Sequence, residues 1–134
     1  MIILDSSAAL RCSLPQIDRA ESDAFRSVVR ENECVSPVLF LSEISNAVWK
    51  EVRFRDLKRA LAIQIISSIS KMTTLHFEDD LLISAAFGIA LESEHPVYDC
   101  IYVALSRHYN VPILTADKKL QRKFVEDKFV ELKT

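Results

Sequence analysis

Glycine is all but missing from this chain: Gly88 is the single one in 134 residues. Glycine-rich phosphate loops need several such residues where the backbone closes on a phosphate. Neither the dinucleotide fingerprint nor the Walker A loop can therefore be written here. Cysteine is scarce as well. Cys12, Cys34 and Cys100 stand far apart with no C-x-x-C pair, which fits free thiols in a reducing compartment rather than a disulfide framework or a zinc site. The longest uncharged apolar run, Leu81 to Leu91, is too short to span a bilayer. The opening Met-Ile-Ile-Leu-Asp lacks a basic region and meets an acid at position 5, so it does not read as a signal peptide. The expectation is a soluble cytoplasmic protein.

An excess of positive charge is also lacking. The formal net charge is −2, which argues against a general nucleic-acid coat and leaves room for a local basic patch. There is no G-x-S-x-G elbow, so Ser6 or Ser7 with an acid does not make a hydrolase triad. His76, His95 and His108 fall on different elements without ligand spacing and read as surface or satisfied core residues.

What is present is a pattern of short apolar strands alternating with helices. Ile2–Leu4 reads as a strand, followed by a helical segment over Ser7–Ser13 that Pro15 ends. Asp18–Glu31 makes an amphipathic helix with Ala24, Phe25, Val28 and Val29 inward. Cys34 and Val35 form a second strand. Ser36 as N-cap and Pro37 as first residue then open a helix to Phe54, with another over Leu57–Lys71. Thr73–Phe77 is a third strand, and Glu78, Asp79 and Asp80 mark the next helix start. Val97–Tyr109 is a further helix, Val111–Leu114 a fourth strand, Lys118–Val125 a helix and Phe129–Leu132 a possible fifth strand. This order predicts one α/β domain over residues 1–134, a parallel sheet covered on both faces. In such sheets, sites form beyond the carboxyl ends of the strands.

Two acids sit at such ends: Asp5 after the first strand and Asp117 just past the fourth. Asp5 alone reads equally as a helix cap, and for Asp117 alone a helix start capped by Thr115 or Asp117 is the stronger reading. Glu43 lies three residues after Phe40 and four before Ala47, on the apolar stripe of its helix, with no basic residue three or four positions away. Asp99 stands in the first turn of its helix, where a carboxylate is favoured by the helix dipole. Carboxylates about 4 Å apart repel by roughly 4 kcal/mol at an effective dielectric near 20. If the four converge, a cation must hold them, and oxygen ligands of this kind suit Mg²⁺ or Mn²⁺.

The stretches ILDSSAAL, SEISNAVWK, YDCIYVALSR and ILTADKKL, in that order and spacing, resemble the PIN domain, and in particular the VapC-type toxins of toxin–antitoxin pairs. The resemblance implies a three-layer α/β/α sandwich with a parallel sheet of four to five strands. It implies a nuclease that uses Mg²⁺ or Mn²⁺ to cut RNA. Asp5, Glu43, Asp99 and Asp117 match the four family acids, with Asp5 and Asp99 as the foremost metal ligands. Ser7 and Thr115 fall where the family carries hydroxyls that orient acids or waters. Lys118, Lys119, Arg122 and Lys123 are placed to meet RNA phosphates, or else form a solvated helix face. Lys50, Arg53, Arg55, Lys58 and Arg59 lie where two helices meet, the place the resemblance gives to a VapB-like antitoxin. Pairing as a homodimer is a further implication, with Leu61, Ile65, Ile66 and Ile69 available for an interface or for the core. Trp49, Phe40 and Tyr102 read as packing residues. Two other readings stay open: a catalytically silent PIN-like binding module, and a phosphoacceptor or phosphatase-like domain using Asp5.

Overall fold

The computed structural model describes residues 1–132. Its elements run β1 (Ile2–Leu4), α1 (Ser6–Ser13), α2 (Arg19–Glu31), β2 (Cys34–Pro37), α3 (Leu39–Arg55), α4 (Arg59–Ser70), β3 (Thr74–His76), α5 (Asp80–Ser93), α6 (Val97–Tyr109), β4 (Ile113–Leu114) and α7 (Lys118–Lys123). The four strands form one parallel sheet in the order β3-β2-β1-β4. Side chains alternate across a strand, and β1 shows the result. Ile2 and Leu4 enter a core with Ala8, Phe25, Phe40, Ile44 and Ile65 from α1 to α4. Ile3 enters the opposite core with Ala86, Ile101, Leu105 and Leu120 from α5, α6 and α7. The architecture is thus an α/β/α sandwich, and β1 is buried on both faces.

The order of the strands matters for function. The chain builds outward from β1 through β2 to β3, then returns to place β4 on β1's other side. That reversal lies between β1 and β4, and in doubly wound sheets the crevice at such a switch point receives the ligand.

Several boundaries differ from the sequence reading. Ser36 and Pro37 belong to β2 rather than to the helix that follows. The Ser36 hydroxyl donates to the Leu4 carbonyl at 2.7 Å and lies 2.8 Å from the Thr73 hydroxyl, so it stitches strands instead of capping α3. The cap of α3 comes from forty residues away: the Glu78 carboxylate accepts the Val38 and Leu39 N–H groups. Phe129–Leu132 does not form a fifth strand. It contributes one parallel bridge, Phe129 to Ile113, with Val130 N–H donating to the Ile113 carbonyl at 2.9 Å. Ile65 and Ile69 are buried in the first core and Ile66 packs against it, so of the four residues considered for an interface only Leu61 is largely outside. Trp49 is exposed, edge-on to Phe54, whereas Phe40 is core.

Helices α3, α5 and α6 end on Asp56, Glu94 and Asn110 in the left-handed region. Glycine normally fills such positions; here a chain nearly without glycine uses polar residues instead. All three cysteines are free and buried. No helix among the described residues is long and apolar enough to cross a membrane.

Candidate active site

Asp5 directly follows β1 at the N-cap position of α1, yet its side chain makes no cap hydrogen bond. It is buried and instead gathers hydroxyls from two strands' ends. Ser7 Oγ donates to Asp5 Oδ2 at 2.7 Å and Thr115 Oγ1 donates to the same oxygen at 2.6 Å. Both hydroxyls are themselves aimed by backbone donors just after β4. Ala116 N–H reaches Ser7 Oγ at 2.9 Å, and Asp117 N–H reaches Thr115 Oγ1 at 3.0 Å. Each hydroxyl has one proton, and with its oxygen already accepting, that proton is free for the carboxylate. Burial pushes the Asp5 carboxyl above its ordinary pKa, the two hydroxyls pull it back, and the charge of Asp99 raises it again.

Glu43 lies on the second turn of α3, half-buried, and accepts a hydrogen bond at Oε1 from the Tyr102 phenol of α6. Its pKa is raised to about 7, first by burial and then by the charges of Asp5 and Asp99. Burial and the charges of Asp5 and Glu43 keep the Tyr102 phenol protonated, as a donor must be. Tyr102 is therefore more than the packing residue the sequence suggested. Its hydroxyl is buried and partnered, and the phenol is the only feature that could have signalled the role. The Ser6 hydroxyl lies 3.4 Å from Asp5 Oδ1 and eases the ionisation of Glu43.

Asp99, in the first turn of α6, does not cap its helix. Its Oδ2 takes a 2.7 Å bond with His95 Nε2. The sequence reading gave His95 no role, although the i,i+4 spacing to Asp99 was a signal. The charge of Asp99 thus reaches both Asp5 and Glu43, and that of Asp5 reaches Glu43. Each of the three is firmly gripped at one oxygen only: Asp5 Oδ2, Glu43 Oε1 and Asp99 Oδ2. Among the described residues no cation pairs with Asp5 or Glu43.

The fourth acid is turned elsewhere. Asp117 caps α7, its Oδ1 accepting Lys119 N–H at 2.9 Å and Leu120 N–H at 3.2 Å. Its connection to the others runs through its own N–H and the Thr115 hydroxyl. Among the described residues, no three His, Cys, Asp or Glu side chains already stand close enough to enclose a metal ion. The donor set still suits one. Hard carboxylate oxygens, partly desolvated and repelling one another, are what a divalent cation of the Mg²⁺ class neutralises.

Of the basic residues, Lys118, Lys119, Arg122 and Lys123 are all exposed on α7, directly after the site. Lys118 borders a groove of about 860 Å³ that also reaches Thr115, Phe25 and Phe129. Lys50, Arg53 and Arg55 lie at the far end of α3, with Lys58 and Arg59 at the start of α4. Ten residues of helix separate Glu43 from Arg53, about 15 Å. There Arg53 stands 5.3 Å from the Phe54 ring centroid, Arg55 lies 3.9 Å from Glu51, and Arg55 and Lys58 line a groove of about 620 Å³. The two basic clusters thus border different grooves.

The PIN domain family model matches residues 2–124, a span that holds all four acids. Curated proteins give no match. Among solved structures, the crystal structure of PAE2754 from Pyrobaculum aerophilum is similar, with a TM-score of 0.72 at 20% identity, covering 91% of this chain and 78% of that one. At that identity the likeness concerns the fold.

Proposed function

The chain belongs to the PIN domain family, whose members are generally metal-dependent nucleases, and from that premise we propose that it is a divalent-metal-dependent endoribonuclease acting as the toxin of a toxin–antitoxin pair. The observation that carries this reading is Asp5: a buried carboxylate beside Glu43 and Asp99, with hydroxyls on one oxygen and no cation paired with it.

Asp5 and Asp99 are the direct ligands in this proposal, with Glu43 and Asp117 joining directly or through water. Mg²⁺ or Mn²⁺ bound there supplies a lowered pKa for water and neutralises charge on the phosphate oxygens. The chain's own residues do the rest. Ser7 and Thr115 hold Asp5 in one rotamer, so that its second oxygen is offered without an ordering cost on binding. Tyr102 fixes Glu43 in the same manner. Lys118, Lys119, Arg122 and Lys123 draw the phosphate backbone toward the end of β4 and set its register without reading bases.

The second basic cluster suits a partner rather than the substrate. Its charge and the exposed rings of Trp49 and Phe54 fit an acidic, partly apolar antitoxin segment of the VapB kind. Homodimer formation belongs to the same proposal. A phosphoacceptor role for Asp5 fits poorly, because the side chain is buried and held by two hydroxyls instead of open to attack. A silent binding module is the other reading, favoured by the engagement of Asp117 in its helix cap.

Incubation of the protein with structured RNAs decides between them. The nuclease reading expects cleavage in Mg²⁺ or Mn²⁺ that stops with chelator and with Asp5→Ala. Intact RNA under every metal condition, or cleavage that survives Asp5→Ala, overturns it.

A further inference from the structure

His95 occupies the turn where α5 passes into α6, and both its backbone and its ring are fixed. Glu94 before it takes the left-handed conformation, φ 54°, and Pro96 follows. Its N–H donates to the Ala90 carbonyl at 3.3 Å, and its carbonyl accepts the Cys100 thiol at 3.7 Å. The ring stands edge-on to the buried Phe124, centroids 5.5 Å apart, and the side chain is only 15% exposed. From this seat Nε2 lies 2.7 Å from Asp99 Oδ2. An ionised carboxylate can only accept, so Nε2 carries the proton in that bond, and a donor to a charged acceptor makes a short, strong one.

We infer that His95 is a positioning residue for Asp99, holding Oδ2 so that Oδ1 is the oxygen left to a divalent cation. The inference rests on the metal-dependent reading above and extends it to a residue outside the four acids. The alternative role, a stitch for the α5–α6 turn, uses the same backbone contacts but makes no use of the bond to Asp99. The two differ in what a lost imidazole does to metal binding at a temperature where the protein stays folded. Outer partners of metal ligands are typically worth ten- to a hundredfold in affinity.

The test is calorimetric titration of Mn²⁺ into the metal-free protein, the fold verified by circular dichroism, for the native chain, His95→Ala, His95→Gln, His95→Asn and Asp99→Asn. A glutamine amide can place a donor near the position of Nε2, whereas the shorter asparagine cannot reach Asp99. Positioning predicts affinity lowered roughly tenfold or more in His95→Ala and His95→Asn, and largely restored in His95→Gln. Cleavage of RNA should lose kcat in the same order with KM little changed. Native Mn²⁺ affinity in folded His95→Asn, with Asp99→Asn weakened, overturns the inference and leaves the nuclease reading intact. Native affinity in Asp99→Asn as well, or no Mn²⁺ binding by the native chain, removes the reading itself.

Discussion

Glu43 shows how much one uncompensated side chain can govern. No described cation faces it, burial disfavours its charge, and Asp5 and Asp99 add repulsion, so its pKa rises from 4.5 to about 7. A carboxyl with a raised folded pKa holds its proton more tightly in the native state than in the unfolded chain. Its contribution to stability is full below pH 4.5 and is lost as pH climbs through about 7. Asp5 shifts the same way. In chelator, then, Glu43→Gln should match the native protein near pH 4 and exceed it at pH 8 by about 1–2 kcal/mol, because solvent screening at this half-buried side chain reduces the ideal value of roughly 1.4 kcal/mol per pKa unit. Urea unfolding of both proteins across that range measures it. A stability difference that does not change with pH contradicts the account. Mg²⁺ should narrow the gap at pH 8 by binding the charged form of the native site only.

Elements were legible wherever the signal was local. The α6 boundaries follow from Pro96 and Asn110 at its two ends, and β1 from three apolar residues closed by an acid. The misses share a cause. Ser36-Pro37 has the chemistry of a helix start, but the strand ladder and the Leu4 carbonyl claimed Ser36, while Glu78 supplied the cap from across the sheet. No local pattern encodes a partner forty residues away. The fifth strand failed because Phe129 and Val130 are joined to Ile113 by one bridge only. Gly88 is the converse case: a residue whose cost is not needed. It lies inside α5, and a Cβ built on it meets nothing within 4 Å. Alanine there should stabilise the protein by about 0.5–1 kcal/mol through helix propensity, read as a raised urea midpoint at unchanged slope. A destabilised variant would mean that α5's outer face is covered in solution.

At the scale of the whole molecule, strand order turns separate residues into a site. Because β4 returns to pair with β1 opposite β2, Thr115 and Ser7 meet over Asp5 although 108 residues separate them. The sequence located the acids at strand ends and helix starts, and their grouping is visible for Asp5, Glu43 and Asp99. It offered the α7 cap for Asp117 beside ligation, since both ask for the same residue type, and the carboxylate is spent on the cap. It could not single out His95 and Tyr102, whose roles depend on which helix faces lie across from one another. The α7 basic residues and the α3–α4 cluster border different grooves, which is what the proposed division between substrate and partner rests on.

The most direct measurement is a crystal of the protein equilibrated with Mn²⁺ and examined for anomalous scattering. The account predicts one strong peak ligated by Asp5 and Asp99, with Glu43 beside it and His95 still bonded to Asp99. A well-ordered crystal with the three carboxylates unliganded, or with manganese bound only elsewhere on the surface, would contradict it.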